Sequence, residues 1–470
     1  MSDETREAVR SNAKYLRQVR PIDPDEICEY IEDQPHPAVV RQILREESFD
    51  LGLVERDDGT FEPIEEGTVS ADFDGVEALP DSHVHRLEDL LVEREGLGWP
   101  EGESGDRLRG RIREIKERYL QQADVEYDDL TALAYAVYHL PDYYTVAQYV
   151  LAELIADGLV PTHLRVLDVG AGVGGPALGL LDLLGDEVLV DYHAVEPSAA
   201  ADVLEDVLDG VESNVETTIH RTTAEAFDPD GEYDLVLFAN VLNELHDPAA
   251  VVEQYLDVLA DDGSVVAMEP ADRNTAIGLR EIERAVADDG PATVYGPTVR
   301  LWPHETSASE SWSFAVQPDI AVPPFQRKLD ENASGPDHEP GEFVNVDVQY
   351  AYSILRTDGR TAIDARGSRS QAAKMVDAES HVTDRINLLA VKLSDDLSDG
   401  GNPLFLIGDG SQTIDHFAVL TEESILNEDL RRADYGDLLV FENALVLWND
   451  DEGAYNVVVN AETVVDRVAR

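Results

Sequence analysis

The sequence predicts an α/β fold, in which a parallel, doubly wound sheet follows an N-terminal helical region and precedes a C-terminal β-barrel. Strand-like and helical patterns alternate between residues 165 and 287, as expected for a parallel sheet with helices on both faces. At the start of this stretch, an apolar run over 164–169 leads into a glycine-rich turn and then a helical pattern. From residue 387 the chain changes to short apolar runs in the order three strands, one helix and two strands.

The composition limits the class of protein. A chain of 470 residues, 43% of them apolar, can form real cores and about two to four domains. No apolar run reaches the roughly 18 residues that span a membrane, and the polar start lacks a signal-peptide core. We therefore expect a cytoplasmic protein with no membrane partner. The single cysteine, Cys28, excludes an internal disulfide and a multi-cysteine metal site.

The charge of the chain is strongly acidic. The net charge is −63, and acidic residues are spread over all regions. This distribution is typical of halophilic proteins, because in molar salt the Debye length falls to about 3 Å and self-repulsion is screened. In such a chain, local basic clusters rather than the net charge indicate contact with nucleic acid.

Residues 1–105 are predicted to form an N-terminal helical region. A first helix over residues 2–20 carries four basic residues on one face: Arg6, Arg10, Lys14 and Arg17. We expect these four residues either to pair with nearby carboxylates or to contact an RNA backbone. Helical patterns at Glu26–Glu32 and Pro37–Glu47 precede a hairpin centred on Asp57-Asp58-Gly59. This arrangement suits a winged-helix module, with a plain helical cap as the alternative.

The densest basic cluster follows a linker predicted over residues 96–105. Six basic residues lie on the next helix: Arg107, Arg109, Arg111, Arg113, Lys116 and Arg118. Some of them pair with Glu114 and Glu117, but we expect the cluster to contact RNA phosphates.

The central domain is predicted over residues 106–356. Two apolar helices between Leu130 and Leu159 are expected to meet at Pro141, with Asp142 capping the second. Tyr143 and Tyr144 either pack or line the mouth of a ligand pocket. The predicted strands are 165–169, 189–195, 217–221, 233–238 and 264–268, and the predicted helices are 176–184, 199–208, 249–259 and 275–287. Ligands bind such a sheet at the carboxyl ends of its strands.

The glycine turn is the centre of the candidate site. Residues 170–175 match the dinucleotide fingerprint G-x-G-x-x-G, which is a weak signal by itself. A second match, to the turn of S-adenosylmethionine enzymes, consists of Asp168, Gly170, Gly172 and Gly174. In those enzymes the acidic residue holds the ammonium end of the methionine, directly or through water. Glu196, at the end of the next strand, suits the two ribose hydroxyls of either ligand.

Two later loops favour the methyl donor over the dinucleotide. The loop T-T-A-E-A-F follows the third strand and places Ala224 and Glu225 where adenine is expected to bind. The fourth strand ends in A-N-V-L-N-E-L, which places Asn240 beside the donor. Asn240 and Asn243 are the candidate catalytic residues that position an acceptor, with packing or capping as the alternative for each. Methyl transfer mainly requires in-line positioning, so few catalytic groups are expected.

Four motifs resemble a known family: L-P-D-Y-Y-T-V, V-L-D-V-G-A-G-V-G-G, A-N-V-L-N-E-L and V-V-A-M-E-P. Together, over about Leu130–Arg356, they are similar to the methyltransferase-like assembly factors of the mitochondrial small ribosomal subunit and their prokaryotic relatives. The resemblance implies a Rossmann-like class I methyltransferase domain with S-adenosyl-L-methionine as its cofactor. It also implies the small ribosomal subunit, or its precursor RNA, as the partner.

The same resemblance implies a loop that binds an iron–sulfur cluster in that family. The matching stretch here, residues 300–314, keeps the proline, histidine and tryptophan–phenylalanine framework but has no cysteines. A cluster held by four thiolates is therefore excluded, and neither an iron–sulfur cluster nor another metal is expected. His304 alone retains metal-ligand character in this stretch. We expect packing by Trp302 and Trp312 to replace the cluster.

The C-terminal part is predicted to be an OB-like β-barrel over residues 384–470, joined by a polar linker over 357–383. Its strand-like runs are 387–393, 403–410, 415–420, 437–448 and 455–459, with a helix near 422–433. This order is the layout of an OB-type barrel, a common binder of single-stranded nucleic acid, and a β-rich protein-interaction domain is the alternative. Phe405, Phe417 and Phe441 either stack on bases or belong to the core.

These expectations favour an S-adenosylmethionine-dependent methyltransferase, or a methyltransferase-like factor, that acts on small-subunit ribosomal RNA. Direct SN2 transfer to a base is expected, because no catalytic cysteine is present for a covalent route. The alternatives are a non-catalytic module that holds the donor as a structural ligand, a small-molecule or protein methyltransferase, and a dinucleotide-dependent oxidoreductase.

Overall fold

The computed structural model describes residues 3–123, 125–211, 214–335 and 338–468. The helices in these residues are α1 Asp3–Leu16, α2 Pro24–Tyr30, α3 Pro37–Glu46, α4 Ser48–Leu51, α5 Asp81–Glu95, α6 Gly102–Leu120, α7 Asp129–Ala156, α8 Gly175–Leu184, α9 Ala200–Leu208, α10 Pro248–Leu256, α11 Arg273–Ala287, α12 Pro324–Glu331 and α13 Asp429–Arg432. Short 3-10 helices lie at Leu242–Glu244 and Met375–His381.

The strands are β1 Leu53–Glu55, β2 Phe61–Pro63, β3 His163–Val169, β4 Leu189–Val195, β5 Val215–His220, β6 Tyr233–Ala239, β7 Leu259–Pro270, β8 Thr293–Gly296, β9 Ala315–Gln317, β10 Val348–Arg356, β11 Arg385–Lys392, β12 Leu404–Gly408, β13 His416–Leu420, β14 Leu438–Asn449, β15 Ala454–Val459 and β16 Val464–Arg467. The chain forms two compact units. Unit 1 comprises Met1–Leu237 with Asp319–Asp347, and unit 2 comprises Phe238–Pro318 with Val348–Arg470. Within the described ranges, no helix is long and apolar enough to cross a membrane.

The N-terminal part of unit 1 consists of helices and a hairpin, as predicted. Helices α1 to α3 bury a shared apolar core, and β1 and β2 pair antiparallel with Leu53 opposite Pro63. Two of the four basic residues on the face of α1 pair with carboxylates. Arg6 contacts Glu46 and Glu47, and Arg10 contacts Glu47 and Asp50. Of the two interpretations of this face, pairing within the protein is the one that these contacts support.

The predicted linker over residues 96–105 is wrong. Trp99 is buried, and Gly105 lies inside α6, where its backbone packs against that of Pro100. A high content of Gly, Pro and Glu suggested a linker, but the single tryptophan buried among these residues anchors the segment.

Helix α7 is one continuous helix, which corrects the prediction of two helices meeting at Pro141. Proline has no N–H to donate to the carbonyl four residues earlier, so an interior proline normally breaks a helix. Here Gln326 supplies the missing donor, because its Nε2 lies 2.9 Å from Val137 O and 3.2 Å from Tyr138 O. Asp142 is consequently inside the helix and does not cap one.

The sheet in unit 1 is built as the alternation predicts. Strands β3, β4 and β5 are parallel neighbours, with Val166 opposite Tyr192 and Tyr192 opposite Thr217. The strand order is β5-β4-β3-β6, and β6 continues into unit 2. Helix α8 connects β3 to β4, and helix α9 connects β4 to β5. This order brings the carboxyl ends of β3, β4 and β5 to one edge.

In unit 2, β10 pairs antiparallel with β7, β8 and β9, and the parallel alternation predicted over residues 165–287 did not include these pairings. Strand β10 pairs with β7, β8 and β9, with Tyr350 opposite Pro270 in the β7 pairing. Almost every residue of β10 is buried, on both faces. A continuously apolar strand has the same sequence pattern in either direction, so the pattern could not determine its direction.

The C-terminal part of unit 2 is a closed five-stranded barrel, which confirms the OB-like prediction. The strands follow the order β11-β12-β13-β15-β14, and pairing of β14 with β11 closes the barrel. Strands β13 and β15 are parallel, with His416 opposite Tyr455. Phe405 and Phe441 belong to the barrel core, whereas Phe417 is half-buried. The base-stacking alternative is therefore wrong for Phe405 and Phe441.

The stretch 300–314 in unit 2 is held by one of its two tryptophans. Trp302 is buried, and its Nε1 donates a hydrogen bond of 2.7 Å to Asp409 Oδ2. Trp312 is 38% exposed and donates to Ala271 O at 2.9 Å. Packing by tryptophan is thus confirmed for Trp302, whereas Trp312 is more exposed and packs its ring 5.4 Å from that of Phe314. His304 is exposed.

Candidate active site

The glycine turn after β3 has one open glycine and one packed glycine. At Gly172, with φ of +54°, an added Cβ would meet only Gly170 O, at 3.9 Å. At Gly174, with φ of +89°, it would lie 2.8 Å from Leu204 Cδ1 on α9. Gly170 also has positive φ, and its N–H donates to Val195 O at 2.8 Å. Gly172 is therefore the position where a ligand can approach the backbone, while Gly174 serves close packing.

Asp168 is the buried carboxylate of the site. It is fully buried, and its Oδ2 accepts a hydrogen bond of 2.6 Å from Tyr192 on β4. Its Oδ1 has no hydrogen-bond partner among the described residues. Burial raises the pKa of Asp168 to about 7, which the hydrogen bond from Tyr192 opposes. A buried carboxylate oxygen without a partner fits a cationic or hydrogen-bond-donating group of a ligand, which is the role predicted for Asp168.

Glu196 ties the glycine turn to the end of β4. Its Oε2 accepts from Gly172 N at 3.0 Å, and its Oε1 accepts from Ser198 N at 2.9 Å. Each carboxylate oxygen has a second lone pair, so both remain able to accept a hydroxyl. The structure thus brings Asp168, Gly172 and Glu196 together at adjacent strand ends, as the sequence predicted.

The T-T-A-E-A-F loop is a tight turn at the end of β5. Phe227 N donates to Thr223 O at 3.1 Å, and the Phe227 ring lies 4.6 Å from that of His220. Ala224 is buried and Glu225 is exposed. The loop lies at the predicted strand end, and the Glu225 side chain faces solvent.

The predicted catalytic asparagines lie in unit 2 and are part of a local hydrogen-bond network. Asn240 has φ of +58°, and its N–H donates to Met268 O at 2.8 Å. Asn243 Nδ2 donates to Glu269 Oε2 at 2.6 Å, and Leu242 N donates to Glu269 Oε1 at 2.9 Å. Asn243 thus makes a hydrogen bond within this loop, as the alternative interpretation expects, and its role in positioning an acceptor stays a prediction.

Glu269, in unit 2, is a buried carboxylate to which the sequence analysis assigned no role. It is buried, and burial raises its pKa to about 8 despite the hydrogen bonds from Asn243 and Leu242. The available signal was a carboxylate at the end of an otherwise apolar strand, in the motif M-E-P. Buried groups with shifted pKa values are common at functional sites.

A row of aromatic residues on α7 in unit 1 was only partly anticipated. Tyr135, His139 and Tyr143 are half-buried, and the rings of His139 and Tyr143 stack at 5.1 Å. Tyr143 lies beside the glycine turn, since a Cβ on Gly175 would be 3.2 Å from Tyr143 Cβ. Tyr144 is buried. Packing therefore describes Tyr144, whereas Tyr143 is half-buried next to the turn.

The six basic residues of α6 are engaged within unit 1. Arg107 contacts Glu95, Arg111 contacts Asp128, Arg113 contacts Glu342, Lys116 contacts Glu342 O, and Arg118 contacts Glu114. Arg109 is 3% exposed and donates to Leu329 O at 3.1 Å. RNA contact is therefore wrong for the Arg109 side chain, and for the other five it stays a prediction that competes with these pairs.

Comparison with known families assigns a methyltransferase domain to this chain. Residues 143–326 match the model described as "Methyltransferase domain". Residues 6–57 and 376–468 match the N-terminal and C-terminal domains of "Domain of unknown function (DUF8157)". The methyltransferase match contains the glycine turn, Glu196 and the A-N-V-L-N-E-L loop.

Individual similar proteins are distant. The hybrid PKS-NRPS synthetase apdA of Emericella nidulans is 30% identical over 111 residues, and this chain spans about 3% of its length and aligns over 23% of its own. A putative methyltransferase from Thermoplasma acidophilum is 16% identical, with a TM-score of 0.28, over 42% of this chain and 70% of that one. The plantazolicin methyltransferase BpumL in complex with SAH is 10% identical, with a TM-score of 0.30, over 58% of this chain and 98% of that one.

Proposed function

We infer that this chain is an S-adenosylmethionine-dependent methyltransferase. The observation that carries the proposal is the buried, unpartnered Oδ1 of Asp168 beside the open Gly172, within a matched methyltransferase domain. Asp168 would hold the ammonium end of the donor, and Glu196 would hold its ribose hydroxyls. The donor supplies an activated methyl group when bound. The protein's own contribution is to orient the two reactants and to exclude water, which is where most of the rate enhancement of such a transfer arises.

For the acceptor, we propose RNA of the small ribosomal subunit or its precursor. The support is the resemblance of four sequence motifs to small-subunit assembly factors and the closed five-stranded barrel over β11–β15, a common architecture for single-stranded nucleic acid. The spread of negative charge supports the further proposal that the protein works at high salt.

Donor binding is tested first, by calorimetric titration of the full chain with S-adenosylhomocysteine in about 2 M KCl. Glu196→Gln is expected to weaken binding about 10-fold or more, as expected for loss of hydrogen bonds to a charged acceptor. Asp157→Asn, an exposed change at the end of α7, is the matched control. Absence of binding by the unaltered chain would refute the proposed function.

Transfer is tested next with the donor carrying a tritiated methyl group, incubated with immature small subunits, total protein and the small-molecule fraction of a cell extract. Label in small-subunit RNA, lost in Glu196→Gln, is the expected result. Label confined to protein or to small molecules would overturn the RNA acceptor. Donor binding without any transfer would replace the enzyme with a non-catalytic module that keeps the donor as a structural ligand.

A further inference from the structure

Helix α7 is mostly buried and carries a row of aromatic residues on one face. Tyr135, His139 and Tyr143 follow each other at intervals of four residues, so they lie on one face, and all three are half-buried. Tyr135 OH lies 3.3 Å from Tyr143 OH, and the His139 ring lies between these two tyrosine rings, at 4.7 and 5.1 Å. A wall of partly exposed aromatic rings on a buried helix is a surface on which a planar ligand can stack.

Asp142 lies beside this wall and is itself buried. It is 8% exposed, and its Oδ1 has no hydrogen-bond partner among the described residues. His139 Nδ1 lies 3.6 Å from its Oδ2, which is beyond hydrogen-bond distance. Burial raises the pKa of the Asp142 carboxyl, and the neighbouring His139 and Asn345 side chains oppose this rise. Buried carboxylates normally have partners, so the free oxygen indicates a group that is supplied from outside the chain.

The wall lies next to the proposed donor site. The backbone of α7 contacts the first residue of α8, because a Cβ on Gly175 would lie 2.9 Å from Leu140 O. On the other side, Ala199 N donates to Tyr127 O at 3.3 Å, three residues after Glu196. The Tyr127 ring contacts that of Tyr135 edge-on at 5.5 Å. The aromatic wall therefore runs between the glycine turn and the segment that follows Glu196.

A second segment of unit 1 fixes the wall. Asn345 Nδ2 lies 3.3 Å from His139 Nδ1, and Asn345 N donates to Gln326 Oε1 at 3.0 Å. Glu342, three residues earlier, accepts two hydrogen bonds from Arg113, at 2.5 and 2.7 Å. These contacts hold His139 in one orientation, so the wall is preorganised before any ligand binds.

We propose that Asp142 and the aromatic wall of Tyr135, His139 and Tyr143 bind the methyl acceptor, a planar heterocycle that donates an N–H or O–H to Asp142 Oδ1. This inference rests on the proposed function and assigns the acceptor side of the same domain. The acceptor proton passes to the Asp142 carboxylate as a bond forms between the acceptor nitrogen or oxygen and the methyl carbon. The bond between the methyl carbon and the donor sulfur breaks, and its electron pair stays on sulfur. Asp142 is a general base in this step, and His139 is a positioning residue.

The first arm of the test measures binding alone. Saturation-transfer NMR is recorded with adenosine, guanosine, cytidine and uridine as probes, on the full chain saturated with S-adenosylhomocysteine. At least one nucleoside is expected to show transfer to its base protons, and Tyr143→Ala is expected to weaken its affinity about 10-fold, typical of a lost stacking contact. Asp157→Asn is the control. Binding of S-adenosylhomocysteine without binding of any nucleoside would overturn the acceptor site and leave the donor site intact.

The second arm separates Asp142 from the donor site. Asp142→Asn keeps the size of the side chain but cannot accept a proton, so we expect transfer to fall about 100-fold or more. The dissociation constants for S-adenosylhomocysteine and for the nucleoside should stay within about 3-fold. An equal loss of S-adenosylhomocysteine affinity in Asp142→Asn and Asp168→Asn would assign Asp142 to the donor and overturn the proposal. Transfer by Asp142→Asn within about 3-fold of the unaltered chain, or no transfer by either, would overturn its role as a base. Failure of the unaltered chain to bind S-adenosylhomocysteine would instead refute the proposed function.

Discussion

The affinity for the donor should depend on pH through Asp168. Its pKa is raised to about 7 by burial, so in the free protein the carboxyl is largely protonated at pH 6 and about half ionised at pH 7. The ammonium end of the donor pairs with the ionised form only. Because the ionised fraction rises from about one in eleven to about one half, S-adenosylhomocysteine should bind about 5-fold more tightly at pH 7 than at pH 6.

Two substitutions isolate this carboxyl from the other acidic groups. Tyr192→Phe removes the hydrogen bond that lowers the pKa of Asp168, so the pH at which binding tightens should move upward. Asp168→Asn removes the titrating group and keeps its shape, so binding should be weak and flat between pH 6 and pH 7. Calorimetric titration at fixed salt measures all three proteins.

The pH dependence of folding stability gives an independent readout of Asp168. Ionisation of this carboxyl strengthens donor binding but destabilises the folded state. The pKa of an unfolded aspartate is near 3.8 and that of the folded Asp168 is about 7, so ionisation is disfavoured in the folded state. The folded state therefore loses stability as the pH rises from about 4 to 7, by at most about 4 kcal/mol. Asp168→Asn should accordingly raise the melting temperature at pH 8 while it weakens donor binding. An unchanged or lower melting temperature, with pH-independent binding by the unaltered chain, would refute this account of Asp168.

Three further predictions concern the scaffold and are measured by denaturant unfolding. Gln326→Leu should lower the free energy of unfolding by about 1–3 kcal/mol, because Val137 O in α7 loses its donor and stays buried. An unchanged free energy of unfolding would show that the proline of α7 needs no substitute donor. Gly174→Ala should cost about 1–3 kcal/mol more than Gly185→Ala, since both have positive φ but only Gly174 has a neighbour within 3 Å of the new Cβ; equal costs would remove the packing role. Trp302→Ala should lower the free energy of unfolding by about 3–5 kcal/mol, and Trp312→Ala by clearly less, because of these two tryptophans Trp302 is the buried one. A larger loss for Trp312→Ala than for Trp302→Ala would contradict the assignment of Trp302 as the anchor.

The sequence predicts best those elements whose determinants are local. The strands β3 to β6 lie within a few residues of their predicted positions, and β3, β4 and β6 contain apolar runs bounded by turn residues. The barrel is predicted from the order of its elements along the chain, which is three apolar runs, one helix and two further apolar runs. Asp168, Gly172 and Glu196 are predicted because strand ends of a parallel sheet meet at one edge.

The features that sequence reasoning missed depend on residues far apart in the chain. Pro141 continues a helix because Gln326, 185 positions later, supplies a donor to Val137 O. The same long-range contact explains the wrong prediction for Asp142. Its position after a proline is typical of a helix cap, but in the continuous helix α7 it is a buried carboxylate. A local pattern contains no information about a partner that only the fold brings close.

The basic cluster on α6 shows how the acidic composition of this chain changes the meaning of a charge pattern. In a chain with 98 acidic and 35 basic side chains, nearly any arginine can find a carboxylate, so a run of arginines can mark internal contacts as well as a nucleic-acid surface. Arg113 illustrates this, because its two hydrogen bonds to Glu342 lower the pKa of that carboxyl to about 2. The folded pKa lies below the ordinary value, so this pair stabilises the fold at neutral pH, and its contribution is lost progressively as the pH falls from 4.5 to about 2. Since Glu342 precedes Asn345 by three residues, Arg113, whose contact with RNA stays a prediction, also helps to fix the segment that places Asn345 beside His139 in the aromatic wall.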